Sequence, residues 1–410
     1  MRTLVPLSSA LVVLLAGPAY AQGNLPPGID LPAGAGKSIV MDHCLKCHDG
    51  TRLAAPGHTR SGWSNVISQM INIGTDLPQS DIAPLTDYLA SNFPQLPPAP
   101  AKIIPGQAQV SFQEWAVATE GAFPHDPLAT RDGAVWYAGQ HGSLLGRIDP
   151  TTGVIKEYRT TIADSGPHGL TADVAGNIWF TANYAGYIGK LDPKTGEVTA
   201  YKLSDARDPH TPVFDQKGVL WFTVQGANKI GRLTPSTGEV KLVGVPTAHA
   251  LPYGIVISST GVPYFALFGT HKLASIDPNT MAIREYELPN PNTRPRRIAI
   301  TSDDVLWYTD YSRGFLGRYD PKTGAAREWP SPGGSNSQPY AITALQDIIW
   351  YCETNVKPNT LVRFDPRSEK FQSWSIPAGG NVVRNMMPTY SGGLVLAESG
   401  AGKVARVTVQ

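Results

Sequence analysis

A short strand, aromatic in six of its seven copies, recurs between residues 135 and 398, and nothing else in this sequence narrows its fold so far. The copies are VWYAG at 135–139, IWFTA at 178–182, LWFTV at 220–224, PYFAL at 263–267, LWYTD at 306–310, IWYCE at 349–353 and the aliphatic LVLAE at 394–398. Each of the first six is followed by a turn: DPTTG, DPKTG, TPSTG, DPNTM, DPKTG and DPRSE. In these turns Pro presets φ, and Gly, where present, takes the positive-φ place. An outer strand such as KEYRT or TAYKL completes each unit of about 43 residues, within the range of propeller repeats. The seventh unit ends at KVARVTVQ without an outer strand, whereas FQEWAV, residues 112–117, precedes the first unit and resembles one. Pairing the two closes a ring and removes the exposed sheet edges that an open array must protect. The pattern predicts a mainly β fold, a seven-bladed β-propeller over residues 111–410. A linear β-solenoid would leave the displaced strand unexplained. The 41 Gly and 36 Pro, without a collagen-like period, agree with many short strands joined by turns.

Three further regions precede the repeats. Residues 1–21 carry Arg2, an apolar run from Leu4 to Ala16, and Ala19-Tyr20-Ala21 as a small-x-small cleavage site. They read as a secretory signal, which predicts a periplasmic or secreted protein. The run is shorter than the roughly 20 residues a membrane anchor needs, and no later segment spans. Residues 36–93 are helix-like, with Trp63, Val66, Ile67, Met70 and Ile71 at helical spacing. Residues 94–110 are proline-rich and read as a semi-rigid linker that allows a docked or a mobile arrangement. The formal net charge of +1 gives no global field that would favour nucleic acid or an anionic membrane.

Within the helical region, Cys44-Leu45-Lys46-Cys47-His48 is the C-x-x-C-H pattern of covalent c-type haem attachment. Two thiols one helical turn apart reach one haem edge, and the next residue turns its imidazole onto the iron. Zinc would need further ligands at matching spacing, and a disulfide would not need His48. Met70 is the first candidate for the sixth iron ligand, with core filling as its other reading and His58 and His43 as alternatives. The segment resembles a small class I cytochrome c domain. By that resemblance Tyr88 and Phe93 pack the closing helix against the haem or the first helix.

Eleven positions before each aromatic, ten in the sixth unit, lies the column His125, His168, His210, Tyr253, Arg296, Tyr340 and Arg384. In a closed ring these side chains converge on the axis and form a pocket. The plain alternative is a hydrated polar channel without catalysis. Three imidazoles suit a borderline transition metal better than magnesium, and the two arginines favour an anionic substrate, with Tyr253, Arg296, Tyr340 and Arg384 as its binding residues. Cys352, in an apolar strand, reads as a buried, inert thiol.

The stretches GPHGLTADVAGNIWFTANYAGYIGKLDPKTGEVTAYKL and DPHTPVFDQKGVLWFTVQGANKIGRLTPSTGE resemble the virginiamycin B lyase family over nearly all of 112–410. That resemblance implies a seven-bladed propeller that opens a cyclic ester by elimination with magnesium and a histidine base. His210 falls in the place of the base and His168 in that of the histidine one blade earlier. Asp208 stands where the family has its first Glu, so Asp208, His125, His168 and His210 are candidates for a second metal. Val224 stands where the second Glu belongs and cannot bind magnesium. Asp310, Glu353 and Glu398 occupy that column in later blades, to hold a metal from there or to pair with Arg296 or Arg384.

Two functions follow. The first is a haem-linked oxidoreductase with a soluble redox partner, its propeller binding a small molecule or metal. The alternative is virginiamycin B lyase-type elimination with the cytochrome as accessory. A binding or sensory module without turnover is a third.

Overall fold

The computed structural model describes residues 29–46, 50, 57–72, 75–95, 97–204, 206 and 208–410. The described residues form seven four-stranded antiparallel sheets, each contributed by consecutive strands except the last. Blade 1 opens with Pro124–Ala129, blade 2 with Pro167–Ala172, blade 3 with Pro209–Phe214 and blade 4 with Pro252–Ile257. Blades 5, 6 and 7 open with Pro295–Ile300, Pro339–Leu345 and Val383–Pro388. In blade 7 the outermost strand is Val110–Ala116, paired along its length with Lys403–Val409. The displaced strand thus closes the ring, as its position in the sequence predicts.

The repeated aromatic strand is the second of each blade, and its Trp residues fill the space between sheets. Trp136, Trp179, Trp307 and Trp350 stack on aromatic rings of the outer strand, Tyr158, Tyr201, Trp329 and Trp374, at 5.4–5.7 Å between centroids. A buried indole N–H needs an acceptor. Trp179 and Trp221 find one in Asp173 and Asp215, each at 2.9 Å. On the third strand, Gly189 faces Phe180 so closely that a Cβ would meet the ring at 2.1 Å. The same contact recurs at Gly231, against Phe222.

In the turns, Gly153, Gly196, Gly238 and Gly324 take positive φ. Where the sequence lacks Gly, Met281 and Glu369 adopt the same left-handed conformation themselves, at φ 63° and 56°.

The N-terminal part is short and helical: Lys37–Ile39 continuing into Val40–Cys44, then α1, Arg60–Asn72, and α2, Gln79–Asn92. Its core joins Leu31, Val40, Leu45, Trp63, Ile67, Leu85, Tyr88, Leu89 and Phe93. Tyr88 donates to the Pro32 carbonyl at 2.7 Å, and the Trp63 indole donates to the Phe93 carbonyl at 2.9 Å, so both ends of the unit are pinned. The proline-rich segment then runs along blade 6. Ala99–Pro100 pairs in parallel with Val356–Lys357, and the Ser373 hydroxyl donates to the Lys102 carbonyl at 2.6 Å while accepting from Ile104 N–H at 2.8 Å. Among the described residues no helix is long and apolar enough to cross a membrane.

Candidate functional site

Every inner strand carries a register shift at the same place, just after its first residue. In blade 3, Pro209 faces Val224 and Pro212 faces Phe222, so His210 and Thr211 together oppose Thr223. Such a bulge bends the strand and re-aims a side chain. Threonine hydroxyls on the second strand lock the bulge to the next blade. Thr181 Oγ1 accepts from Gly169 N–H at 2.8 Å and donates to the His210 carbonyl at 2.7 Å. Thr223 does the same between Thr211 N–H and the Tyr253 carbonyl, at 3.1 and 2.7 Å.

The bulges bring the seven-residue column together. The rings of His125 and His168 lie 3.5 Å apart between centroids, His168 and His210 3.8 Å, and His210 and Tyr253 3.8 Å. The hydroxyls of Tyr253 and Tyr340 share a hydrogen bond. Above them the Arg296 guanidinium is enclosed by Tyr253, Phe268, Tyr311 and Tyr340, its carbon 3.8 Å from the Tyr340 centroid. Arg384 completes the ring over Phe123 at 4.9 Å. The imidazoles and phenols of the column are at most 3 % exposed, while Arg296 and Arg384 are half-buried.

A second layer follows one residue along each strand: Asp126, Gly169, Thr211, Gly254, Arg297, Ala341 and Asn385. Asp126 accepts from His125 Nδ1 at 2.9 Å, from Arg297 at 2.8 Å and from Asn385 at 2.8 Å. The first contact fixes the His125 proton on Nδ1 and leaves Nε2 with a free lone pair. The column of axial residues alone does not predict this layer. Its signal lay in the same alignment one position on, where charged and amide residues alternate with small ones.

Electrostatics set the protonation of the site. Burial holds His125, His168 and His210 well below the usual imidazole range, and neighbouring arginines and imidazoles push the same way. All three are neutral bases at neutral pH. Three guanidiniums, Arg296, Arg297 and Arg384, face one carboxylate, Asp126, so the ring carries net positive charge. The Nε atoms of all three arginines and Nδ1 of His168 are buried without a partner. Such unsatisfied donors suit a ligand with anionic oxygens.

His125, Asp126 and His168 place one ligand atom each within 4.8 Å of one another and could hold a metal ion. Imidazole and carboxylate together suit a borderline transition metal. Arg297 and Asn385 already engage the two Asp126 oxygens, however, so a cation would compete with a guanidinium for that carboxylate.

Comparison with known proteins bears on the fold. The Virginiamycin B lyase family matches residues 101–276, from the end of the proline-rich segment to the third strand of blade 4. No curated protein matches. The structure of a streptogramin B lyase superposes with a TM-score of 0.67 at 24% identity, covering 73% of this chain and 98% of that one. The virginiamycin B lyase of Staphylococcus aureus gives 0.67 at 23%, covering 73% and 99%. A catalytically inactive variant of the S. aureus enzyme, solved with quinupristin, gives the same values. The protein is a virginiamycin B lyase-like seven-bladed propeller with short N-terminal helices. The family match begins at residue 101 and leaves those helices outside it.

Several sequence expectations about the axial site need correction. Asp208 does not join the imidazoles: its left-handed backbone, φ 62°, turns the carboxylate to Asn183, and Asp126 takes the place beside the histidines. Burial raises the Asp208 pKa to about 8. His210 lies against His168 but outside the trio whose donor atoms converge. Val224 is buried in an apolar cluster with Trp179 and Phe222. The later acidic residues pair with neither Arg296 nor Arg384. Asp310 binds Arg313 at 2.6 Å, Glu353 accepts from Ser331, Gly333 and Thr360, and Glu398 lies beside Glu114 and Lys403. Cys352 is fully buried and its thiol pushed up by burial, as an inert thiol should be.

Of the haem residues, Cys47 and His48 lie outside the described residues. Cys44 is half-buried against the helical core, and Met70 is half-buried on α1. His43 is tied to the Asp76 carbonyl at 2.5 Å, and His58 packs edge-on against Trp63 at 4.7 Å.

Proposed function

We propose that the axial ring is the catalytic centre of a carbon–oxygen lyase that opens an ester bond in a small, acid-bearing molecule by elimination. The observation that carries this reading is three neutral imidazoles packed ring on ring beside three arginines and a single carboxylate. His210, in the place of the family's base, takes the proton from the carbon next to a carbonyl. The electron pair forms the new double bond, the carbon–oxygen bond breaks, and the leaving carboxylate is held by Arg296 or Arg384. His125 and His168 flank the base, while Tyr253 and Tyr340 line the substrate side. Guanidinium groups here meet the charge that an acidic ligand metal would meet elsewhere, which is consistent with Val224 in the place of the second Glu.

Quinupristin and simpler β-acyloxy acids are the substrates to test. Elimination in a cyclic ester leaves the mass unchanged and adds a conjugated double bond, whereas hydrolysis adds one water. Turnover that is lost in His210→Ala supports the reading, when quinupristin gives a product isomeric to itself or an open-chain β-acyloxy acid gives an unsaturated acid together with the released carboxylic acid. A product heavier by one water, or wild-type activity in His210→Ala, refutes it.

The C-x-x-C-H spacing of Cys44 to His48 favours a second reading: a periplasmic haem c protein whose propeller exchanges electrons with a soluble redox partner through that haem. Haem would be held by Cys44 and Cys47, with His48 and Met70 toward the iron. Cys44 fits one anchor, because its side chain is half-buried against the apolar core that includes Leu45 and Trp63. The helical unit also sits at the propeller mouth. A cleft of about 950 Å³ between them is lined by His58, Arg60, Pro97, Asn355 and Val382, and the Arg384 guanidinium helps lower the His58 imidazole. When bound, the haem supplies one-electron chemistry. Export with cytochrome maturation should yield a covalent haem that Cys47→Ala removes; its absence from the matured wild type would end this reading.

A further inference from the structure

The hydroxyls of Tyr253 and Tyr340 hydrogen-bond to each other inside the ring. Both residues are buried, at 3 % and 1 % exposure. The Arg296 guanidinium donates to the Tyr253 oxygen, and either hydroxyl can donate in the bond between Tyr253 and Tyr340.

The groups that face this oxygen are cationic on most sides. Arg296 of blade 5 lies over the Tyr340 ring at 3.8 Å and Arg297 at 5.9 Å, and Arg384 of blade 7 acts from the other flank. Tyr311 meets the ring edge-on at 5.7 Å, and the Tyr253 hydroxyl reaches the Tyr340 hydroxyl from blade 4. The carboxylate of this layer, Asp126, is engaged by Arg297. Burial alone would raise the Tyr340 phenol, but the three guanidiniums and the Tyr253 donor outweigh it and hold the phenol below its ordinary value.

From this arrangement we infer that Tyr340 is an ionising phenol that serves as the internal anion of the arginine ring, and that it takes up a proton when the acid group of a ligand occupies Arg296 and Arg384. The inference rests on the reading of those arginines as the anion site, and it adds a role that a purely contacting tyrosine would not have. The balance is simple. The phenolate oxygen gains one proton from solvent, and the ligand carboxylate replaces it as counter-ion. Neutral ligands of the same shape displace no charge and are bound without proton uptake, which makes the pair a filter for acids.

The test is a spectrophotometric titration of the full-length protein, read as the phenolate difference spectrum between wild type and Tyr340→Phe so that other chromophores cancel. One tyrosine should ionise below the ordinary phenol value, and the step should vanish in Tyr340→Phe. Arg384→Gln, at a half-exposed position, should retain the step and move it to higher pH. Benzoate, used as the probe acid, should move the wild-type midpoint upward and draw about one proton per chain from unbuffered solution, and benzyl alcohol should do neither. Superimposable curves for wild type and Tyr340→Phe, with both folded by circular dichroism, would overturn the assignment of Tyr340. A phenolate that benzoate leaves unmoved would instead overturn the proton-coupled displacement, and with it the arginine anion site, while leaving Tyr340 ionised.

Discussion

Asp126 in blade 1 and Arg297 in blade 5 reach each other across the ring and meet at 2.8 Å, both nearly inaccessible to solvent. Blades that are not neighbours are thereby tied through the axis. Burying either charge alone is costly, and removing one partner of such a pair typically destabilises by about 3–5 kcal/mol. Asp126→Asn should therefore lower stability by that amount in urea unfolding. The double variant Asp126→Asn with Arg297→Met should recover most of it, because no uncompensated charge remains. The same double variant frees His125 from its carboxylate partner, so any transition-metal affinity of the trio should drop.

The hydroxyl of Thr181 joins blade 2 to blade 3 through Gly169 N–H and the His210 carbonyl. Thr181→Val keeps the shape and leaves two buried backbone groups unpaired, each costing about 1–3 kcal/mol. We expect a fall in the denaturation midpoint together with a loss of His210-dependent turnover larger than Thr309→Val causes. Thr309 makes the equivalent link to Tyr340, at 2.9 Å.

The glycines of the third strand invite a compensation experiment. Gly189→Ala places a methyl at 2.1 Å from the Phe180 ring, an overpacking that costs about 1–3 kcal/mol. Blade 7 shows the relieved version of the same pair, Leu396 opposite Ala405. Phe180→Leu added to Gly189→Ala should restore part of the melting temperature, whereas Phe180→Leu alone should lower it by leaving a cavity.

The ring of blades and its axial column were legible because a fixed period forces equivalent residues onto one circle, and His125, His168 and His210 could be placed from that alone. Asp126, Arg297 and Asn385 were not, since their column is interrupted by Gly169, Gly254 and Ala341 and only the bulge turns it inward. Asp208 was misplaced for a related reason. Counting along the chain puts it beside the axis, but a left-handed backbone points it at Asn183. The partners of Asp310 and Glu353 likewise come from local loops, Arg313 and Ser331, whose approach no repeat pattern encodes.

The buried titratable groups set an optimum of stability on the pH axis. Glu398 and Asp208 are each raised to about 8, chiefly by burial. A carboxyl raised in the folded state favours folding fully below its unfolded value and loses that contribution as pH rises through the folded value. The three axial histidines are lowered, so their contribution is present above the unfolded value near 6.5 and lost on acidification. Between about pH 6.5 and 8 the folded state holds two protons that the unfolded chain does not, and stability falls as pH rises. Between about 4.5 and 6.5 the unfolded chain binds three protons on histidine against the folded state's two on carboxyl, and stability falls as pH drops. Stability should thus peak near pH 6.5, with an alkaline slope of about 2–3 kcal/mol per pH unit. Glu398→Gln should roughly halve the alkaline slope and steepen the acid limb, where the folded state then holds one carboxyl proton instead of two, as read from urea midpoints across pH 5–9. An alkaline limb identical to wild type would mean that Glu398 is already ionised in the fold, the nearby Lys403 charge outweighing burial and the Glu114 carboxyl beside it.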